Sequence, residues 1–325
     1  MSNIARVRRA VRRNPTLRRA FYRARGLYHG ARIAVAARSR SAPGRAGGVD
    51  PAKTVWIFST ARSGTTWLRG MLADLLGCEA WEEPKVAQLF GDFYERAQQG
   101  QLGSVDFVLG DPTRGAWTRS LRGFVLETAR ASHPSVGPDD YLVVKEPGGA
   151  VGAPLIAEAL PESRMVLLVR DPRDVVASIL DAQKEGNWMY EAVDESQRGR
   201  ATSADKNETA YARVLANRYV RQMSNGKKAF DAHRGPKALV RYEDLRSDTL
   251  GAMQHLCANL SLPAEDGRIA RAVEEYAWAN VPEAEKGRGK FYRKGTPGGW
   301  KEDLTARQAE IVESVTASLL AQFYP

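Results

Sequence analysis

At 325 residues and 43% hydrophobic composition, the chain has the length of one large α/β domain with an extension, and ample material for a core. No stretch approaches the ~18–20 consecutive apolar residues of a membrane-spanning helix, and two cysteines, Cys78 and Cys257, are too few for a disulfide framework or a cysteine zinc site, so a reduced cytoplasmic protein is expected. The net charge of +10 belongs to one end: residues 1–49 hold 13 arginines and no acidic residue, leaving 48 − 13 = 35 basic against 38 acidic groups, so nucleic acid is not an expected partner of the remainder.

Residues 4–38 read as helical with a break near Pro15, and Leu17, Phe21, Tyr28 and Val35 recur at spacings of four and seven among the arginines. A basic amphipathic helix of this kind suits an anionic lipid surface, which would place residues 1–40 at the inner face of a membrane. The same pattern also fits a helix packed on its own domain, a solubilising tail or an organellar transit peptide. The Ser-, Gly-, Ala- and Pro-rich residues 39–52 read as a linker. Two units are expected: an extension over 1–50 and a domain over 51–325.

Val55-Trp56-Ile57-Phe58 has the composition of a strand buried on both faces. It runs into Ser59-Thr60-Ala61-Arg62-Ser63-Gly64-Thr65-Thr66, after which Leu68, Met71, Leu72, Leu75 and Leu76 mark one face of a helix. The unpaired N–H groups and positive dipole end at such a helix start suit an anion, and Arg62 with the hydroxyls adds donors. The loop is not a Walker A loop, which needs Gly-Lys-Ser/Thr; here Thr65 and Thr66 follow the glycine and the cation precedes it. An ordinary helix start with a glycine is the structural alternative. The run Arg62-Ser63-Gly64-Thr65-Thr66-Trp67 resembles the 5′-phosphosulfate loop of sulfotransferases that use 3′-phosphoadenosine 5′-phosphosulfate as donor.

Glu82-Glu83-Pro84 follows the loop helix. The resemblance implies a general-base role for Glu83, because carbohydrate and tyrosylprotein sulfotransferases carry a glutamate about this far past the loop; Glu82 is the runner-up, and a solvated acidic pair is the structural alternative. In 85–135, Trp117 and Phe124 could be core or acceptor-pocket residues. Tyr141-Leu142-Val143-Val144 reads as a second buried strand, ending in Lys145-Glu146-Pro147. This resembles the cytosolic sulfotransferase strand whose lysine is followed two residues later by a catalytic histidine, but Pro147 stands in the histidine position. The departure moves the base to Glu83, with Glu146 as a further candidate, and gives Lys145 the charge on the leaving phosphate oxygen.

Met165-Val166-Leu167-Leu168-Val169 reads as a third buried strand, after which Asp171 caps and Pro172 opens a helix. By resemblance Arg170 and, eight positions on, Ser178 bind the 3′-phosphate of the donor; a structural ion pair is the alternative for Arg170. The polar stretch 181–206 reads as a long loop suited to an acceptor lid. A helix over 207–233 and a strand over 238–240 lead to Tyr242-Glu243-Asp244, similar to the family segment whose tyrosine lies near the adenine, although Tyr242 could equally be core.

Arg293-Lys294-Gly295 followed by Gly298-Gly299-Trp300-Lys301 resembles the cytosolic sulfotransferase segment that closes over the 3′-phosphate, and Thr305 with Gln308 forms a capping box for a last helix. The resemblance implies a three-layer α/β fold with a mainly parallel central sheet and a P-loop-like phosphosulfate-binding loop. In that site Arg62, Ser63, Gly64, Thr65 and Thr66 hold the phosphosulfate, Trp67 and Tyr242 lie near the adenine, and Arg170, Ser178, Arg293, Lys294 and Gly295 hold the 3′-phosphate. The implied reaction moves a sulfuryl group to an acceptor hydroxyl and releases adenosine 3′,5′-bisphosphate. Glu83, Lys145 and Arg62 are the catalytic groups, no metal takes part, and a small-molecule, carbohydrate or glycolipid acceptor is favoured. A P-loop nucleotide or sugar kinase and a non-catalytic membrane-surface protein are the rival readings.

Overall fold

A computed structural model describes residues 48–99, 107–192 and 208–325. The extension 1–47 and the later part of the expected lid therefore lie outside the described residues. Five parallel strands form one sheet in the order β2-β3-β1-β4-β5: β1 Thr54–Phe58, β2 Glu79–Glu82, β3 Leu142–Glu146, β4 Arg164–Val169 and β5 Lys237–Arg241. All four pairings are parallel, which agrees with the apolar runs of the three central strands. The edge strand β2 was not legible in the sequence: Glu-Ala-Trp-Glu is short, charged and only half-buried, so it carries no apolar run.

The pleat divides each central strand between two cores. On one face Val55, Ile57, Val143, Val166 and Leu168 pack with α1 (Thr65–Leu76), α9 (Thr249–Asn259) and α10 (Asp266–Glu275). On the other, Trp56, Phe58, Val144, Leu167 and Val169 meet α3 (Arg114–Ser132), α4 (Ala153–Ala159), α5 (Pro172–Gln183), α7 (Glu208–Ala232) and α12 (Ala306–Phe323). Helices therefore cover both faces, which gives three layers. Four further helices complete the twelve among the described residues: α2 (Val86–Gln98), α6 (Trp188–Ala192), α8 (Tyr242–Ser247) and α11 (Trp300–Asp303).

The helix starts follow the expected chemistry. Asp171 accepts from the Arg173 N–H with Pro172 in the first turn of α5, and Thr305 and Gln308 make the full capping box of α12. Trp117 is a core residue, its indole N–H bonded to the Gly110 carbonyl, whereas Phe124 is exposed. Where a long loop was expected from 181, α5 continues to Gln183 and α6 follows at Trp188; a helix of five residues is too short to give a periodic signal.

Candidate active site

The carboxyl ends of the parallel strands bring the separated motifs together, as is usual for an open α/β sheet. After β1 the chain turns through Arg62 and Gly64, both at positive φ (68° and 89°), and α1 begins at Thr65 with no side-chain cap. The Trp67 N–H donates to the Gly64 carbonyl at 3.0 Å, so the N–H groups of Thr65 and Thr66 are the ones that suit an anion. The loop is held from below by Ser59 Oγ, which donates to the Leu168 carbonyl at 2.6 Å, and from within by the 2.8 Å contact of Thr60 and Ser63 hydroxyls. A Cβ on Gly64 would lie 2.7 Å from the Tyr242 ring, so only glycine lets that ring close against the loop.

Three guanidiniums converge on this loop. Arg170, at the end of β4, donates to the Arg62 carbonyl (2.8 Å) and lies over the Tyr242 ring (4.2 Å), and its buried Nε has no partner. Arg62 donates from Nε to Ser178 Oγ (3.0 Å) and from a terminal nitrogen to the Phe291 carbonyl (2.7 Å). Burial, and then the neighbouring charges of Arg170 and Arg293, bring the Arg62 pKa down to about 10. A cluster of buried like charges of this kind is one that a bound anion would relieve. Arg293 is buried against Asp303 (2.7 Å), and the half-exposed Lys294 pairs with Glu302 (2.7 Å) and Asp303 (3.0 Å). The two cations of the Arg-Lys-Gly segment are therefore engaged by carboxylates in this structure.

At the other end of the loop, the buried Lys145 ammonium donates to Glu83 Oε1 (2.9 Å) and Thr66 Oγ1 (3.3 Å). Glu83 sits at φ 49°, its N–H bonded to the Lys145 carbonyl (2.8 Å), in a turn where Lys85 also has positive φ. Backbone strain at a non-glycine residue beside a buried cation is the pattern expected of a functional position. Burial raises the Glu83 pKa, but the charge and hydrogen bond of Lys145, with a smaller contribution from Lys85 at 3.4 Å, outweigh it and hold the carboxyl below its ordinary value. Glu82 is engaged by Arg69 at 2.7 Å and stands 3.8 Å from Lys145.

The family follows from most of the chain. The model of the sulfotransferase domain matches residues 52–324. The chain belongs to this family. A search of curated proteins finds no match. Among solved structures, a mouse sulfotransferase complexed with PAP is 11% identical, with 83% of this chain and 85% of that one covered at a TM-score of 0.51. A sulfotransferase from Mycobacterium avium is 12% identical, with 90% and 81% covered at 0.50. At such identities the likeness is one of fold.

Within this sulfotransferase domain, Glu146 lies apart from the loop. Successive residues of β3 point to opposite faces, so Lys145 reaches α1 while Glu146 turns to α2, where its Oε1 accepts from the Gln88 N–H at 2.8 Å. It is fully buried, its other oxygen has no partner, and burial pushes its pKa up. In this structure Glu146 thus caps the start of α2. A group whose folded-state pKa is raised favours folding below its ordinary pKa and loses that contribution as pH rises through the folded value. Glu146→Gln should accordingly keep near-full turnover, and its melting temperature relative to the parent should rise from pH 5 to pH 8, which paired thermal scans would show.

Sequence reasoning missed Trp278 and Arg246. A Cβ on Gly295, which has φ 66°, would lie 2.7 Å from the Trp278 ring, and Arg246 Nε donates to the Gly295 carbonyl while its guanidinium lies 5.8 Å from the Trp67 ring. The Trp67 indole is fixed by its bond to the Tyr276 carbonyl (2.9 Å) and meets Tyr242 edge-on. The signal available was Tyr276-Ala277-Trp278, two large aromatics after an amphipathic helix. Among the described residues, no group of three or more His, Cys, Asp or Glu side chains could hold a metal ion.

Proposed function

We propose that the domain transfers a sulfuryl group from 3′-phosphoadenosine 5′-phosphosulfate to an acceptor hydroxyl, with Glu83 as general base. The observation that carries this reading is the convergence of the Arg62, Arg170 and Arg293 guanidiniums, with a buried Arg170 Nε that has no partner. Like charges brought this close favour an anion beyond the carboxylates already there, and a nucleotide with phosphate groups at both its 5′ and 3′ positions supplies one to each end of the cluster. The mouse relative of the same fold is complexed with PAP, the product that such a transfer leaves.

In this reading Ser63, Gly64, Thr65 and Thr66 hold the phosphosulfate with hydroxyls and N–H groups. Ser178, Arg170, Arg293, Lys294 and Gly295 hold the 3′-phosphate, and Trp67 and Tyr242 flank the base. Lys145 faces the leaving phosphate oxygen. Because Lys145 is the larger of the two cations that depress the Glu83 pKa, with Lys85 adding to it from 3.4 Å, an anion that draws the Lys145 ammonium away shifts the balance towards burial and makes Glu83 a stronger base. Donor binding and base activation are coupled through that one lysine.

The carboxylate in place of a histidine favours a carbohydrate hydroxyl, and exposed apolar side chains on α2, the helix that follows it, favour a glycolipid. Leu89 lies one helical turn past Lys85 and is 60% exposed, and Phe93 a turn further is 46% exposed. Calorimetric titration tests the donor: adenosine 3′,5′-bisphosphate should bind more tightly than Mg-ATP. The reverse order would favour a kinase built on the same type of loop.

A further inference from the structure

We infer that Asp174 is the residue that positions the Arg293-Lys294-Gly295 segment, by anchoring the backbone that follows it, at Gly298 and Trp300, to the first turn of α5. The inference rests on the donor reading above. Asp174 is fully buried, yet neither oxygen serves its own helix. Oδ2 accepts from the Gly298 N–H at 2.7 Å, and Oδ1 accepts from the Trp300 N–H at 2.9 Å. An acidic residue at the third helical position ordinarily bonds back to the N–H of the capping residue. In α5 that N–H is already taken, since Asp171 N–H donates to Glu243 Oε1 at 3.0 Å. Glu243 thereby releases Asp174 to reach across to the distant segment.

The choice of atoms matters for the chemistry. Arg293 and Lys294 are held through their side chains by Asp303 and Glu302, contacts that a phosphate must replace. Asp174 holds main-chain N–H groups instead, so the segment stays in place while its cations are released to a ligand. The same carboxylate stands 3.9 Å from the Arg170 guanidinium, which puts the β4 cation and the 293–300 segment under one anchor. Arg173 completes the clasp by lying 4.3 Å from the Trp300 ring centroid.

Asp174→Asn keeps the volume and replaces one acceptor oxygen with a donor that faces an N–H. Binding of adenosine 3′,5′-bisphosphate should weaken by about ten- to a hundredfold, the range for a charge-assisted bond removed from a buried site. Binding of adenosine 5′-monophosphate, which has no 3′-phosphate, should be unchanged, the donor KM should rise more than kcat falls, and the Gly298 and Trp300 amides should exchange faster with deuterium. Equal weakening of both nucleotides would show a merely structural role and overturn the inference, as would unchanged binding of both. If Asp174→Asn does not fold, Trp300→Pro, which removes the N–H that Oδ1 accepts at a first helical position where proline is tolerated, must show the same selective loss. A parent protein that does not prefer the bisphosphate to the monophosphate would overturn the donor reading itself, and the two failures are distinct.

Discussion

Arg170→Ala is expected to weaken binding of adenosine 3′,5′-bisphosphate by about 10- to 150-fold, the equivalent of about 1.5–3 kcal/mol for hydrogen bonds to a charged group. The structure explains why the loss should fall on the donor. The guanidinium is fixed on one side by the Arg62 carbonyl and by the face of Tyr242, and its backbone carbonyl is held by the Tyr219 hydroxyl at 2.9 Å. Its Nε, buried and without a partner, is a donor already oriented for an acceptor. Removing Arg170 also removes the first of the two neighbouring charges that depress the Arg62 pKa, so the free protein regains some of what it loses in that hydrogen bond. Calorimetry should thus show a large loss of nucleotide affinity with a small change in melting temperature, and acceptor saturation should stay near that of the parent. An unchanged affinity would remove Arg170 from the site.

The parts of this arrangement that were legible in the sequence are those carried by local chemistry. Buried parallel strands announce themselves as apolar runs, and β1, β3 and β4 were readable for that reason; β5, with Leu239 exposed at the sheet edge, was readable from its place between a helix and the Tyr-Glu-Asp segment. The Arg62–Thr66 loop was readable because a glycine and a cation at a strand-to-helix junction have few other uses. What the sequence does not contain is which partner each charged group takes. Glu82, Glu83 and Glu146 are equivalent as letters, and only the register of β2 beside β3 sends one to Arg69, one to Lys145 and one to the start of α2. Likewise Asp174 reads as an ordinary acidic residue near a helix N-terminus, because its partners Gly298 and Trp300 are more than a hundred residues away.

Glu83→Gln should lower turnover by about 10²–10⁴-fold, the usual contribution of a general base, while leaving affinity for adenosine 3′,5′-bisphosphate close to that of the parent. The substitution keeps the shape of the side chain and its ability to accept from Lys145, so the turn at positive φ has the same bond to hold it. The pH profile gives a second, independent reading. In the free domain Lys145, assisted by Lys85, holds the Glu83 carboxyl below its ordinary value, so the acid limb of kcat/KM should lie below about pH 4.3, the ordinary glutamate pKa. Once donor phosphate shares the Lys145 ammonium, the depressing influence weakens and burial pushes the carboxyl up, so the acid limb of kcat should lie at higher pH than that of kcat/KM. Protonated Glu83 cannot take the hydroxyl proton, and both limbs should vanish from the residual activity of Glu83→Gln. Glu82→Gln, which disturbs the Arg69 pair and stands farther from Lys145, should keep the parent limbs and most of the turnover. If Glu82→Gln is instead the variant that loses turnover, the donor site stands and the base is Glu82; if neither loses it, proton transfer from the acceptor does not limit the rate.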